Sequence, residues 1–133
     1  MIENLLQTND VVLESTQSVK EVLGELRAAG YFAVLVDRAP VFNKDTLLHA
    51  LYQSCVFPAH FGFNWDALED TLTSFSWGEA KGYALVFRNF SVLQAREGNV
   101  AETFLDSVQD VAKMRQERNK PPFLVVMLKP SRA

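Results

Sequence analysis

The residues of this sequence that could do chemistry are acidic groups and imidazoles lying close together in the chain: Asp66, Glu69 and Asp70, with His60 just before them and His49 further upstream. A carboxylate beside an imidazole can transfer protons or share a metal ion. The spacing gives little support to either. There is no His-x-x-x-His and no Cys-x-x-Cys, patterns that set two ligands at bonding distance on a helix or turn. His49 falls between Leu48 and Leu51 in a helical pattern, which suits a surface or half-buried imidazole. His60 lies in a loop near Asp66, so a labile metal contact stays open there. Ser54, Ser74 and Ser76 have no nucleophile-elbow context, and no Gly-rich phosphate loop follows a strand. No cofactor is expected.

The charge pattern around these carboxylates is more informative. From Asp45 through Ala80 the chain carries five acidic residues (Asp45, Asp66, Glu69, Asp70, Glu79) and no Lys or Arg. Lys113, Arg115, Arg118, Lys120, Lys129 and Arg132 crowd the C-terminal end, where they read as a solvated helix face and tail. The net charge of −3 and a pI near 5.3 argue against general nucleic-acid affinity, which depends on clustered cations neutralising phosphates. An acidic surface suits a basic partner.

At 133 residues the chain fits one domain that can bury most of its unfolded surface around a core. The single cysteine, Cys55, excludes an internal disulfide and reads as buried packing. Residues 1–7 have neither a basic start nor a long apolar segment, so no signal peptide is expected. The longest apolar runs are too short to cross a bilayer, and the expected compartment is the cytoplasm.

Three runs, Tyr31 to Val36, Tyr83 to Phe87 and Phe123 to Leu128, are continuously apolar, as for core strands of a parallel sheet covered on both faces. Val11-Val12-Leu13 is a candidate extra strand. A helix is predicted over about residues 16 to 29, with Ser15 and Thr16 as candidate caps, Val19, Val22, Leu23 and Leu26 on one face, and Gly30 ending it. A second, over about 44 to 55, starts after Asn43 and buries Leu47, Leu48 and Leu51 before Pro58 closes the segment. A long one, from about Val100 to Arg118, has Phe104, Val108 and Val111, or alternatively Leu105 and Ala112, on its inner side. The fold class is α/β.

Between the second helix and the Tyr83 strand runs the acidic helix. Asn64 is a good N-cap, and Phe63 with Leu68 occupy the positions of a hydrophobic staple. Trp65, Leu68, Leu72 and Phe75 recur at helical spacing as a buried stripe, while Asp66, Glu69, Asp70 and Thr73 share another face. Asp66 gains from the helix dipole, but the Asp66 and Asp70 pair at i, i+4 costs a few tenths of a kcal/mol through like-charge repulsion. Folding does not demand this stripe, which points to a docking surface. Trp77-Gly78 reads as a loop anchor over the core.

The stretch from Phe57-Pro58 through Leu72, above all Phe61-Gly62-x-Asn64-x-Asp66-Ala67-Leu68-x-Asp70-x-Leu72, resembles the signature of the barstar family of small intracellular ribonuclease inhibitors. The order strand, helix, loop, acidic helix, strand, helix, strand over residues 31 to 128 is similar to that fold. The resemblance implies a three-stranded parallel sheet packed with helices, to which residues 1 to 30 add a candidate fourth strand and a helix. It also implies that the acidic helix and its preceding loop plug the active site of a small basic ribonuclease, with Asp70 among the cationic groups that would hold the substrate phosphate. Asp66 matches the first aspartate and His60 the aromatic loop position that packs on the enzyme. Gly62, Asn64, Glu69 and Thr73 complete the expected contact set, on a chain that is monomeric when free. The chain departs from the pattern at His60, where tyrosine or tryptophan is more usual, at Glu69, a position that can be tryptophan, and at Thr71, which replaces a common cysteine. Two other readings stay open: an adaptor or antitoxin-like protein for a basic partner that is not a ribonuclease, and a metal-dependent or acid/base enzyme using His60, Asp66 and Asp70.

Overall fold

The computed structural model describes Leu6 and residues 10–74 and 78–129. In chain order its elements are β1 (Val12–Ser15), α1 (Val19–Ala28), β2 (Tyr31–Leu35), α2 (Lys44–Ser54), α3 (Trp65–Ser74), β3 (Gly82–Phe87), α4 (Phe90–Arg96), α5 (Gly98–Glu117) and β4 (Phe123–Leu128). The four strands form one sheet in the order β1-β4-β3-β2, and every pairing is parallel. The expected fourth strand is therefore present. It begins one residue later and ends two residues later than Val11-Val12-Leu13 suggested, and it pairs with β4 from Val12↔Val125 to Ser15↔Leu128.

Continuous apolar runs become central strands because each face of the sheet meets a different hydrophobic layer. All residues of β3 and β4 are buried. Tyr83, Leu85, Phe87, Phe123, Val125 and Met127 join the core formed with α2 to α5, while Ala84, Val86, Leu124, Val126 and Leu128 join Val22 and Leu26 of α1 on the opposite face. Each fully buried Leu or Val side chain contributes about 1.5–3 kcal/mol. The Tyr31 run reads the same way in sequence but behaves differently. As the edge strand β2 it has one neighbour, only Ala33 is buried, and Phe32 is 37% exposed.

The helix boundaries show which signals were local. Asn43 caps α2 in a reciprocal box with Thr46, its Oδ1 accepting from Thr46 N at 2.8 Å, and Leu47, Leu48 and Leu51 are buried as expected. For α1 the candidate caps were too early. Ser18 is the cap, its Oγ accepting from Glu21 N at 3.1 Å while the Glu21 carboxylate accepts from Ser18 N at 3.2 Å. In α5 the buried side is Phe104, Val108 and Val111, with Leu105 and Ala112 only half-buried. The short helix α4 has no counterpart in the sequence reading. It forms because Phe90 packs on Phe87 and Phe104, with ring centroids 5.2 and 5.9 Å away, and because the buried Asp37 carboxylate accepts from the N–H groups of Arg88 and Asn89 at 2.8 and 2.6 Å. Cys55 is buried as read, and burial pushes its thiol up to about 12. Among the described residues no helix is long and apolar enough to cross a membrane.

Candidate protein-binding face

The loop before α3 hangs from α2 by aromatic contacts. Phe57 and Phe61 are buried, their centroids 5.0 Å apart, and Phe63 packs against His49, Tyr52 and Phe61 at 4.6, 5.1 and 4.9 Å. Between these anchors the chain turns, Phe61 N donating to Pro58 O at 2.9 Å, and this turn holds Ala59 and His60 out in solvent. His49 is exposed on α2, its ring edge-on to Phe63.

Phe63 adopts a left-handed backbone, φ 53°, a conformation uncommon for any non-Gly residue. It aims the chain into the helix start that Asn64 then caps, Asn64 Oδ1 accepting from Ala67 N at 2.7 Å and its Nδ2 donating to Gly62 O at 3.3 Å. Gly62 lies close to this cap, since a Cβ there would sit 3.3 Å from Asn64 Nδ2 and 3.4 Å from the Ala67 Cβ. Phe63 and Leu68, the two members of the expected staple, belong to the same core cluster.

Along α3, Leu68 and Leu72 are buried, Asp66 and Asp70 are exposed and Glu69 is half-buried. Among the described residues the ion pairs are Arg88 with Asp37 at 4.0 Å and Lys129 with Glu14 at 3.1 Å. The carboxylates of α3 are in neither. Trp65 is only half-buried, with Lys44 Nζ 5.4 Å from its ring centroid, so the stripe is less covered at its start than its spacing suggested. Phe75 and Trp77 lie outside the described residues.

Thr73 corrects the reading of the face. It does not sit beside Asp66 and Asp70 in solvent but is 2% exposed, and its Oγ1 has no hydrogen-bond partner among the described residues. The reason is α5, which packs against the C-terminal half of α3 and widens its buried arc past the Leu72 position. At this seam lies Arg115, a residue whose type and position in sequence suit a solvated cation. Arg115 is 2% exposed. Its Nη1 donates to the carbonyls of Leu72 and Thr73 at 3.0 and 3.2 Å, its Nε to Pro121 O at 3.0 Å, and its guanidinium carbon lies 4.8 Å from the centroid of the Tyr83 ring. Burial lowers its pKa from the ordinary value while Tyr83 acts to raise it; a guanidinium stays charged regardless. The signal was present in the spacing, because Arg115 continues the buried series Phe104, Val108, Val111 one helical turn further. Of the other cations in that cluster, Lys113, Arg118 and Lys129 are exposed and Lys120 is half-buried, while Arg132 lies outside the described residues.

The carboxylate face is a surface rather than a cleft. The grooves of about 650 Å³ beside α2 and about 670 Å³ at the start of β4 are lined by other residues. Among the described residues no group of three or more His, Cys, Asp or Glu side chains could hold a metal ion. The arrangement can present two unpaired, exposed carboxylates, about one turn apart on a capped helix, to cationic groups of another molecule. No curated protein matches the chain. The match comes from a family model described as Barstar (barnase inhibitor), which covers residues 31–127, and the chain therefore belongs to the barstar family.

Proposed function

We propose that this protein, acting as a single domain and a monomer when free, inhibits a small basic ribonuclease by inserting the outer face of α3 and the loop before it into the enzyme's active site. The observation that carries the reading is the pair of exposed carboxylates, Asp66 and Asp70, with no cation in ion-pair range among the described residues, on a helix fixed at both ends. Family membership over residues 31–127 supports it. An aspartate on a rigid helix can imitate a phosphate oxygen to Arg and Lys, and complementary fields speed encounter. In this reading Asp70 enters the phosphate-binding site and Asp66 flanks it. Glu69 and His60 contact the rim, and Asn64 and Gly62 shape the loop. Thr73, being buried, contributes to the helix rather than to the contact. The protein itself catalyses nothing and works in the cytoplasm, where an active ribonuclease would be harmful.

The test is titration of the protein into a guanyl-specific microbial ribonuclease with residual RNA cleavage measured at low salt. Inhibition that weakens as salt rises is expected; full cleavage at micromolar inhibitor would overturn the proposal for that enzyme class. Asp70→Ala is expected to weaken binding by about 2–5 kcal/mol, a range that belongs to measured complexes with buried charge pairs, the barnase–barstar pair among them.

A further inference from the structure

Arg115 is not needed to neutralise anything that the described structure buries. Its partners are three backbone carbonyls and the side chain of Tyr83, with no carboxylate among them. A cation removed from water in this way is costly, and an apolar side chain of similar volume would usually serve a core at least as well. What the guanidinium does that an apolar side chain could not is hold the last turn of α3. Carbonyls at a helix C-terminus lack intrahelical partners and carry the negative end of the dipole, and Nη1 meets Leu72 O and Thr73 O together. Both carbonyls follow Asp70 by no more than one turn. The same guanidinium ties this turn through Nε to Pro121, ahead of β4, and lies over Tyr83 of β3. Tyr83 in turn donates its hydroxyl to Gly78 O at 2.8 Å, beyond the end of the helix. The end of the acidic helix is thereby referenced to the two central strands.

We infer that Arg115 is a positioning residue for the acidic face, holding the C-terminal turn of α3 on the sheet so that Asp70 is presented to a cationic partner in one orientation. It touches no partner itself. The consequence for docking rests on the inhibitor reading given above, but the positioning does not, and the two fail separately.

The experiment compares amide hydrogen exchange and inhibition in Arg115→Lys, which keeps the charge but loses the forked donors, and in Arg115→Met. In both variants protection of the amides from Glu69 to Ser74 is expected to fall at least about tenfold further than that of β3 and β4, as for loss of a charge-assisted hydrogen bond. Arg115→Lys should be the milder. Inhibition of the guanyl-specific ribonuclease, at a temperature where wild type and variant are both folded, is expected to weaken about tenfold or more with Asp66 and Asp70 intact. Loss of protection in step across α3, β3 and β4 would mean that Arg115 only stabilises the fold, and unchanged exchange would mean that it holds nothing; either result overturns the inference. If wild type does not inhibit the ribonuclease, the inhibitor reading falls and the exchange ratio alone decides the positioning role.

Discussion

At its N-terminal end α3 is capped by its immediate neighbour, Asn64, which reaches Ala67 N at 2.7 Å. At its C-terminal end the carbonyls of Leu72 and Thr73 accept from Arg115, 43 and 42 residues away in sequence. The first cap is local, exposed and replaceable by water. The second is long-range and buried. In the inhibitor proposal this asymmetry has a use: the local cap sets where the helix starts, and the long-range one holds its last turn on the sheet.

The contrast is sharpest in the cost of removing each cap. Arg115→Met removes three hydrogen bonds to backbone carbonyls and is expected to destabilise the protein by about 3 kcal/mol or more, read as a lower urea midpoint with an unchanged slope. Asn64→Ala removes an exposed cap and is expected to cost about 1 kcal/mol, with Asn64→Asp close to wild type. Equal costs for the two would mean that the long-range contact holds α3 no more firmly than the local cap does.

These two ends also mark what was legible. Asn43 and Asn64 could be read as caps because capping is a contest among neighbouring residues. The strands could be read because their apolar runs need no knowledge of the partner strand. The edge position of β2 could not, since the Tyr31 run looks as apolar as the other two and only the sheet order distinguishes it. Asp37, which anchors the start of α4 from 52 residues away, was equally invisible. Arg115 and Thr73 differ from their sequence reading for different reasons: Arg115 lies in phase with the buried series of α5 but is a cation by type, whereas Thr73 lies in phase with the acidic face and is covered only because α5 docks on α3.

A third helix end extends the comparison. α1, α2 and α5 each finish with a left-handed residue, Gly30 at φ 90°, Val56 at 54° and Asn119 at 58°. For α2 and α5 the following N–H reaches back, Phe57 to Tyr52 O at 3.0 Å and Lys120 to Arg115 O at 2.9 Å, the geometry of a Schellman cap. Gly and Asn tolerate that conformation, whereas a β-branched residue does not. Val56 is also 75% exposed, so burial returns little of the strain. Val56→Gly is expected to stabilise the fold by about 1 kcal/mol, seen as a raised melting temperature. A drop would mean that the side chain packs usefully where it stands.

The smallest effects lie between the two ends of α3, and they differ in sign. Asp66, in the first turn, faces the positive end of the dipole, so Asp66→Asn is expected to lose about 0.3–1 kcal/mol. Asp70 stands one turn further, beyond most of that benefit but still opposite Asp66 at i, i+4, so Asp70→Asn is expected to gain a few tenths of a kcal/mol. Both shifts should shrink in about 1 M salt, where the screening length falls to about 3 Å. In the inhibitor proposal the order reverses for binding, where Asp70→Asn is expected to cost more than Asp66→Asn. If Asp70→Asn instead lowered the melting temperature by several degrees, its carboxylate would be part of the fold, and the outer face of α3 would no longer need a partner to explain it.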